Sequence, residues 1–249
     1  MSKPKIRVGL LLDGYTVPAW TFRMLEEIQR SDYAELSLIV LNGSYREHVP
    51  RSLFSRIRKN FRRWAPIATR QFLEFVYDFL IERNLKLQDA DKPVDCKPLL
   101  EKVPALKVDP IQKRLSDHLK DTDIEAIRQH KLDVLLRCGF RILRGGILSA
   151  ARYGVWSFHH GDNRINRGGP AGFWETMENW PETGSILQIL TEDLDDGKVI
   201  ARSFSCTDDL SVTANRNSYY WKSLFFVPRK LKELYQVGGQ EFLDRVRFD

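Results

Sequence analysis

Lys5–Leu12 reads KIRVGLLL, almost continuously apolar, and stops at Asp13-Gly14. A run of strand length with no polar face predicts a central strand of a parallel sheet, covered on both sides. From Thr16 to Ser31 the spacing changes: Trp20, Phe22, Met24, Leu25 and Ile28 recur at helical intervals. Leu36–Leu41 (LSLIVL), ending at Asn42-Gly43, predicts a second strand. Strand, helix, strand is the signature of a βαβ unit with a right-handed crossover, and so of an α/β domain. Further on, Ala105–Val108 reads as a short strand and Asp121–His130 as a short helix with an Asp cap. Leu132–Cys138 reads as another buried strand, Gly154–Phe158 as a short one, and Ala201–Cys206 continues a later strand. Ala214–Tyr235 has helical character with a break or fresh start at Pro228, and Gln240–Val246 is a last short helix.

Between Ser44 and Pro93 the pattern departs from alternating strands and helices. Leu53, Phe54, Ile57, Phe61 and Trp64, then Phe72, Leu73, Phe75, Val76, Phe79 and Leu80, form two helical stripes. We read a helical insertion at about 44–93 in a single domain spanning 1–249, with a C-terminal helical segment at about 211–249. Arg46 to Arg70 holds eight basic residues against Glu47 alone. Such a segment suits a solvated helix face or a phosphate-bearing partner, and a basic helix lying on a membrane surface is the sharper alternative.

Composition adds boundaries rather than detail. At 249 residues with 43% hydrophobic and 29% charged residues, the chain can bury a full core. Cys96, Cys138 and Cys206 form neither a CxxC nor an even framework, which points to a reducing compartment and no zinc site. The N-terminal apolar run meets Asp13 too early for a signal peptide, and no run approaches the ~18 residues of a membrane span. A cytoplasmic protein without stable membrane insertion is the expectation. The turn DGYTVPAW carries one glycine and is no dinucleotide fingerprint.

Chemistry concentrates between Leu132 and Ile200. His159 ends a short strand and opens a polar loop with His160, Asp162, Asn163, Arg164 and Arg167. In open α/β sheets ligands bind at the carboxyl ends of strands, and histidine is the side chain most easily tuned near neutral pH. Asp193, Asp195 and Asp196 lie in the turn DLDDGKVI, where turn formation alone would account for them. One of these carboxylates turned inward would raise a histidine pKa, and the imidazolium would stabilise an oxyanion. A metal held by His159, His160 and an aspartate ranks lower, because no HxH or HExxH spacing occurs.

In register, these residues resemble the catalytic core of the formyltransferases that use 10-formyltetrahydrofolate, a group that includes the glycinamide ribonucleotide, methionyl-tRNA and nucleotide-amino-sugar enzymes. Ser157-Phe158-His159 stands where that family has Asn-x-His, and Arg167-Gly168 where its loop has Arg-Gly. Thr183-Gly184 and Leu194-Asp195-Asp196-Gly197 follow. The intervals are eight residues from His159 to Arg167, sixteen to Thr183, and eleven from Gly184 to Asp195, as in the amino-sugar branch. Trp174 matches a tryptophan common there.

The resemblance implies a Rossmann-like, mostly parallel sheet flanked by helices, and an N-formyltransferase with 10-formyltetrahydrofolate as cosubstrate. It implies His159 as the oxyanion-stabilising residue and Asp195 as the carboxylate that keeps it charged. It also implies a folate site drawn from Gly139, Phe140, Ile142, Arg167, Gly168, Asp193 and Leu194. The family's asparagine is Ser157 here, a shorter donor, and Asn163 in the loop is a second candidate for its role. The acceptor expected is the amine of a small molecule, an amino sugar or nucleotide-linked amino sugar carrying phosphate, met by Arg164, Arg167 or the basic insertion. Nucleic acid is not an expected partner, since too few residues follow Asp195 for an auxiliary tRNA-binding module. A 10-formyltetrahydrofolate hydrolase and a non-catalytic folate-binding relic are the alternatives. The aromatic C-terminal helices suit either core or a homodimer face.

Overall fold

The structure, a computed structural model, describes residues 3–45, 80, 88–165, 170–192 and 197–246. The first strand, β1 (Ile6–Leu12), is followed by a short β2 (Thr16–Pro18), helix α1 (Ala19–Gln29) and β3 (Ala34–Asn42). The helix expected from Thr16 therefore begins three residues later. Thr16–Pro18 pairs instead with β4 (Pro93–Asp95), and Pro18 caps the helix in an extended conformation. Next come α2 (Lys97–Leu100), β5 (Ala105–Val108), β6 (Ile111–Gln112), β7 (Ser116–His118) and α3 (Asp121–Gln129). Lys120, not an aspartate, occupies the N-cap of α3. Asp121 and Asp123 sit in its first turn, where carboxylates complement the helix dipole.

The second half runs β8 (Val134–Arg137), β9 (Ile142–Arg144), a 3-10 turn (Gly146–Ser149) and β10 (Val155–His159). It continues through α4 (Phe173–Met177), β11 (Glu182–Ile189), β12 (Lys198–Cys206), α5 (Val212–Ser223), α6 (Phe226–Val237) and α7 (Gly239–Asp244). Seven strands form the main sheet in the order β12-β11-β10-β8-β1-β3-β5. The five from β10 to β5 are parallel, and β11 and β12 extend the sheet as an antiparallel pair. This is the Rossmann-like, mostly parallel α/β sheet that the hydrophobic runs predict. The small sheet of β6, β7 and β9 has no counterpart in the sequence reading, because its strands are two or three residues long.

Both faces of the sheet are buried, which explains the lack of alternation in the central strands. Val8, Leu10 and Leu12 of β1 face Met24, Leu25 and Ile28 of α1 and Leu231 and Leu234 of α6. Leu11 faces the other way, with Leu135 and Val155, into a second core closed by Ile124 and Ile127 of α3. Each such Leu or Ile fully removed from water contributes about 1.5–3 kcal/mol. Residues 46–79 and 81–87, where the helical insertion and its basic stripe are expected, lie outside the described residues. Among the described residues no helix is long and apolar enough to cross a membrane.

Candidate functional site

Strand alternation sorts the residues around His159. In β10, Trp156 and Phe158 turn toward the core that carries α1, while Val155 lies in the second core. Ser157 and His159 share the side of Val155, one above the other at the strand's carboxyl end. His160, one residue on, falls on the opposite face. It lies among the rings of Trp20, Phe158, Tyr219 and Tyr220, with Nδ1 3.1 Å from the Ser185 hydroxyl. Its Nε2 is buried without a partner, and burial pushes its pKa down to about 3. The adjacent histidines are thus parted by the pleat. His160 is a neutral packing group, and His159 alone stands at the strand end.

A row of polar side chains crosses the sheet beside it. Arg137, at the end of β8, pairs in register with Ser157, and Ser157 pairs with Gln188 of β11. Arg137 Nη1 donates to the Ser157 hydroxyl oxygen at 3.0 Å. Its Nε and Nη2 donate to the carbonyls of Arg141 and Phe140 at 3.1 and 3.2 Å. Burial holds the Arg137 pKa below its ordinary value. Gln188 is buried, and its Oε1 has no hydrogen-bond partner.

The loop after β8 is pinned from three sides. Asp13, just beyond β1, accepts from the Phe140 backbone N–H at 2.9 Å and from Asn42 Nδ2 at 2.8 Å. This one carboxylate ties together the carboxyl ends of three parallel strands. Fully buried Asp117 accepts from the Arg141 backbone N–H, Nε and Nη2 at 2.9, 2.9 and 2.7 Å. The loop crosses β1 so closely that a Cβ at Gly139 would lie 2.4 Å from the Asp13 nitrogen. Phe140 adopts φ +62, a left-handed conformation that these bonds hold in place. Its side chain packs into the second core, so this loop presents mainly backbone at the strand ends.

The Thr-Gly pair has a packing reason. Gly161 donates its N–H to the Gly184 carbonyl, and a Cβ at Gly184 would meet the Asp162 nitrogen at 2.8 Å. The loop after His159 is therefore laid directly on β11. Thr183 is fully buried and bonded to Thr207 and Asn215. Asn163 Oδ1 accepts from Arg202 of β12 at 2.9 Å, and Arg202 pairs through Ile186 with His159. Arg164 forks onto Asp162, whose carboxyl its hydrogen bonds hold below the usual range.

Arg167, Gly168, Asp193, Leu194 and Asp195 lie outside the described residues. The flanks of the carboxylate-rich turn are described. The Glu192 carboxylate accepts from the Gly145 N–H at 2.9 Å. Gly197 abuts Gln188, where a Cβ would come within 2.9 Å of the carboxamide oxygen. Gly197 thus lies against the Ser157 row. Among the described residues no group of three His, Cys, Asp or Glu side chains is placed to hold a metal ion. A hollow of about 670 Å³ lined by Arg128, Lys131, Asp133 and Arg152 opens at the amino ends of β8 and β10. That is the wrong pole for ligand binding in an open α/β sheet, so the chemistry is better sought at His159.

The mostly parallel sheet with its antiparallel extension is the fold of solved formyltransferase structures. Among solved structures, the chain is similar to glycinamide ribonucleotide transformylase 1 from Symbiobacterium toebii, with 14% identity, TM-score 0.57, and coverage of 98% of this chain and 94% of that one. Phosphoribosylglycinamide formyltransferase from Bacillus halodurans matches with 12% identity, TM-score 0.57, and coverage of 95% and 98%. A formyltetrahydrofolate deformylase from Pseudomonas putida KT2440 matches with 12% identity, TM-score 0.56, and coverage of 94% and 67%. At these identities the likeness is one of fold. No protein-family model matches the sequence, and no curated protein matches it.

Arg137, Asp13, Asp117 and Gln188 were missed in the sequence. The signal was present for Arg137, a cation inside the apolar run LDVLLRCGF. For Gln188 nothing along the chain distinguishes it from an exposed strand residue.

Proposed function

We propose that the chain is an N-formyltransferase that moves a formyl group from 10-formyltetrahydrofolate to the amine of a small acceptor, an amino sugar or nucleotide-linked amino sugar. The observation that carries this reading is the placement of Ser157 and His159 on one face at the carboxyl end of β10. The pinned backbone of Gly139, Phe140 and Ile142 lies at the end of the next strand. That backbone can bond the flat heterocycle of the donor. The Ser157 hydroxyl can donate to the formyl oxygen, and the orphaned Gln188 Oε1 can accept from the N–H of the incoming amine. Asn163, tied to Arg202, holds the loop over the same face.

In this mechanism the acceptor amine adds to the formyl carbon, and His159 stabilises the charge growing on the formyl oxygen. Collapse of the adduct breaks the bond from the formyl carbon to the donor nitrogen, and tetrahydrofolate leaves with the proton that the amine gives up. Asp195 keeps His159 protonated, and Arg167, Gly168, Asp193 and Leu194 complete the donor's binding surface. Orientation of amine and donor supplies much of the rate. The three cysteines are free, in keeping with a cytoplasmic location.

The test is to incubate the protein with 10-formyltetrahydrofolate and follow tetrahydrofolate release, with and without a panel of amino-sugar nucleotides. Acceptor-dependent release is expected, falling by about two orders of magnitude or more in His159→Ala and in Asp195→Ala. Near-normal turnover in either variant would overturn the assignment. The likeness to deformylase structures favours one second reading, hydrolysis of the same donor by water, which predicts release independent of any amine.

A further inference from the structure

We propose that Arg137 is a positioning residue of the formyl-transfer site, acting through Ser157: its guanidinium occupies the hydroxyl's acceptor lone pair and turns the hydroxyl proton toward the formyl oxygen. The inference rests on the formyl-transfer reading. A serine hydroxyl has one proton to give and two lone pairs to receive with. Arg137 Nη1 approaches the oxygen at 3.0 Å and cannot accept, so the hydroxyl must donate elsewhere. Its internal outlet is the Phe158 carbonyl at 3.3 Å, a long bond for a hydroxyl donor. That proton is therefore available to a better acceptor arriving at the strand end.

The partner is unusual at the end of a strand whose other residues are buried. Arg137 meets two backbone carbonyls and Ser157, and it forms no ion pair among the described residues. A guanidinium with neutral contacts, partly buried, keeps its positive field directed at whatever binds over Ser157. A hydroxyl that accepts from a cation is also a stronger donor, because the two bonds polarise each other. Arg137 thus strengthens a short donor without touching the substrate, and no proton changes owner.

The competing role is purely structural, since Arg137 also holds the Phe140 and Arg141 carbonyls. The two roles separate in binding of 10-formylfolate and folate, a stable pair that differ only in the formyl group. Dissociation constants for both would be measured calorimetrically on the full chain, for the natural sequence, Arg137→Met, Arg137→Lys, Ser157→Ala and the Arg137→Met/Ser157→Ala double variant. The natural sequence is expected to prefer the formyl-bearing ligand. Arg137→Met and Ser157→Ala should each lose that preference by about tenfold, the size of one hydrogen bond, and the double variant should lose no more than either alone. Arg137→Lys, a cation that cannot make the same fork, should recover part of it. Equal weakening of both ligands in Arg137→Met, or losses that add in the double variant, would overturn the proposal while leaving the formyl-transfer reading intact. Failure of the natural sequence to bind either ligand would overturn both.

Discussion

His160 is enclosed by four aromatic rings, and its protonation is opposed by that burial. In the unfolded chain the imidazole takes up a proton as pH falls through about 6.5. In the folded chain its pKa is pushed down to about 3, so between those values the unfolded state holds more protons. Stability contributed by neutral His160 is therefore complete at neutral pH and is lost progressively as pH falls from about 6.5 toward 3. His160→Phe keeps the ring and removes the titration. Its stability should fall less between about pH 7 and about pH 5, by about 2 kcal/mol, in urea denaturation at each pH. Identical acid slopes in both proteins would show that another group governs the loss. This acid response belongs to His160, whereas His159, at the strand end, is the residue proposed to act on the formyl group.

The element that matters most is the loop between β8 and β9. It carries the backbone proposed to meet the donor, yet its shape is set by residues far along the chain. Asp117 reaches it from β7 with three hydrogen bonds to Arg141. Asp117→Ala leaves Arg141 and its backbone N–H without their partner. Because Arg141 is partly exposed, the expected cost is about 2 kcal/mol, below that of breaking a fully buried pair. The same variant should raise KM for the formyl donor with a smaller change in kcat, since loop position rather than His159 is disturbed. A fall in kcat alone would show that the loop does not bind the donor.

At the scale of the whole molecule, two buried cores on either side of one sheet determine which reactive groups meet solvent. Cys206 is exposed on β12, whereas burial pushes the Cys96 and Cys138 thiols up to about 11 and about 12. The thiolate is the reactive form, so at about pH 8 Cys96 and Cys138 hold very little of it. A maleimide reagent should label Cys206 quickly in the native protein and all three cysteines only in denaturant. Rapid native labelling of Cys138 would mean that the end of β8, beside Arg137, is open rather than packed.

The apolar runs Lys5–Leu12, Leu36–Leu41 and Leu132–Cys138 by themselves determined a parallel sheet buried on both faces, because a strand with no solvent side has nowhere else to go. Ser157 and His159 were likewise legible along the chain, as neighbours two apart at the end of a strand, and so was the glycine of Thr183-Gly184. Other features depend on residues distant in sequence. Period-two alternation parts His160 from His159, but only α1 and α5 decide that the far face is an aromatic enclosure. Asp13 bonds across to Phe140, Asp117 to Arg141, and Arg202 to Asn163, pairings separated by 127, 24 and 39 residues. The bond from Arg137 to Ser157 is of the same kind. A parallel crossover makes the pair adjacent, and no local pattern records that the arginine in an apolar run will lie beside that hydroxyl.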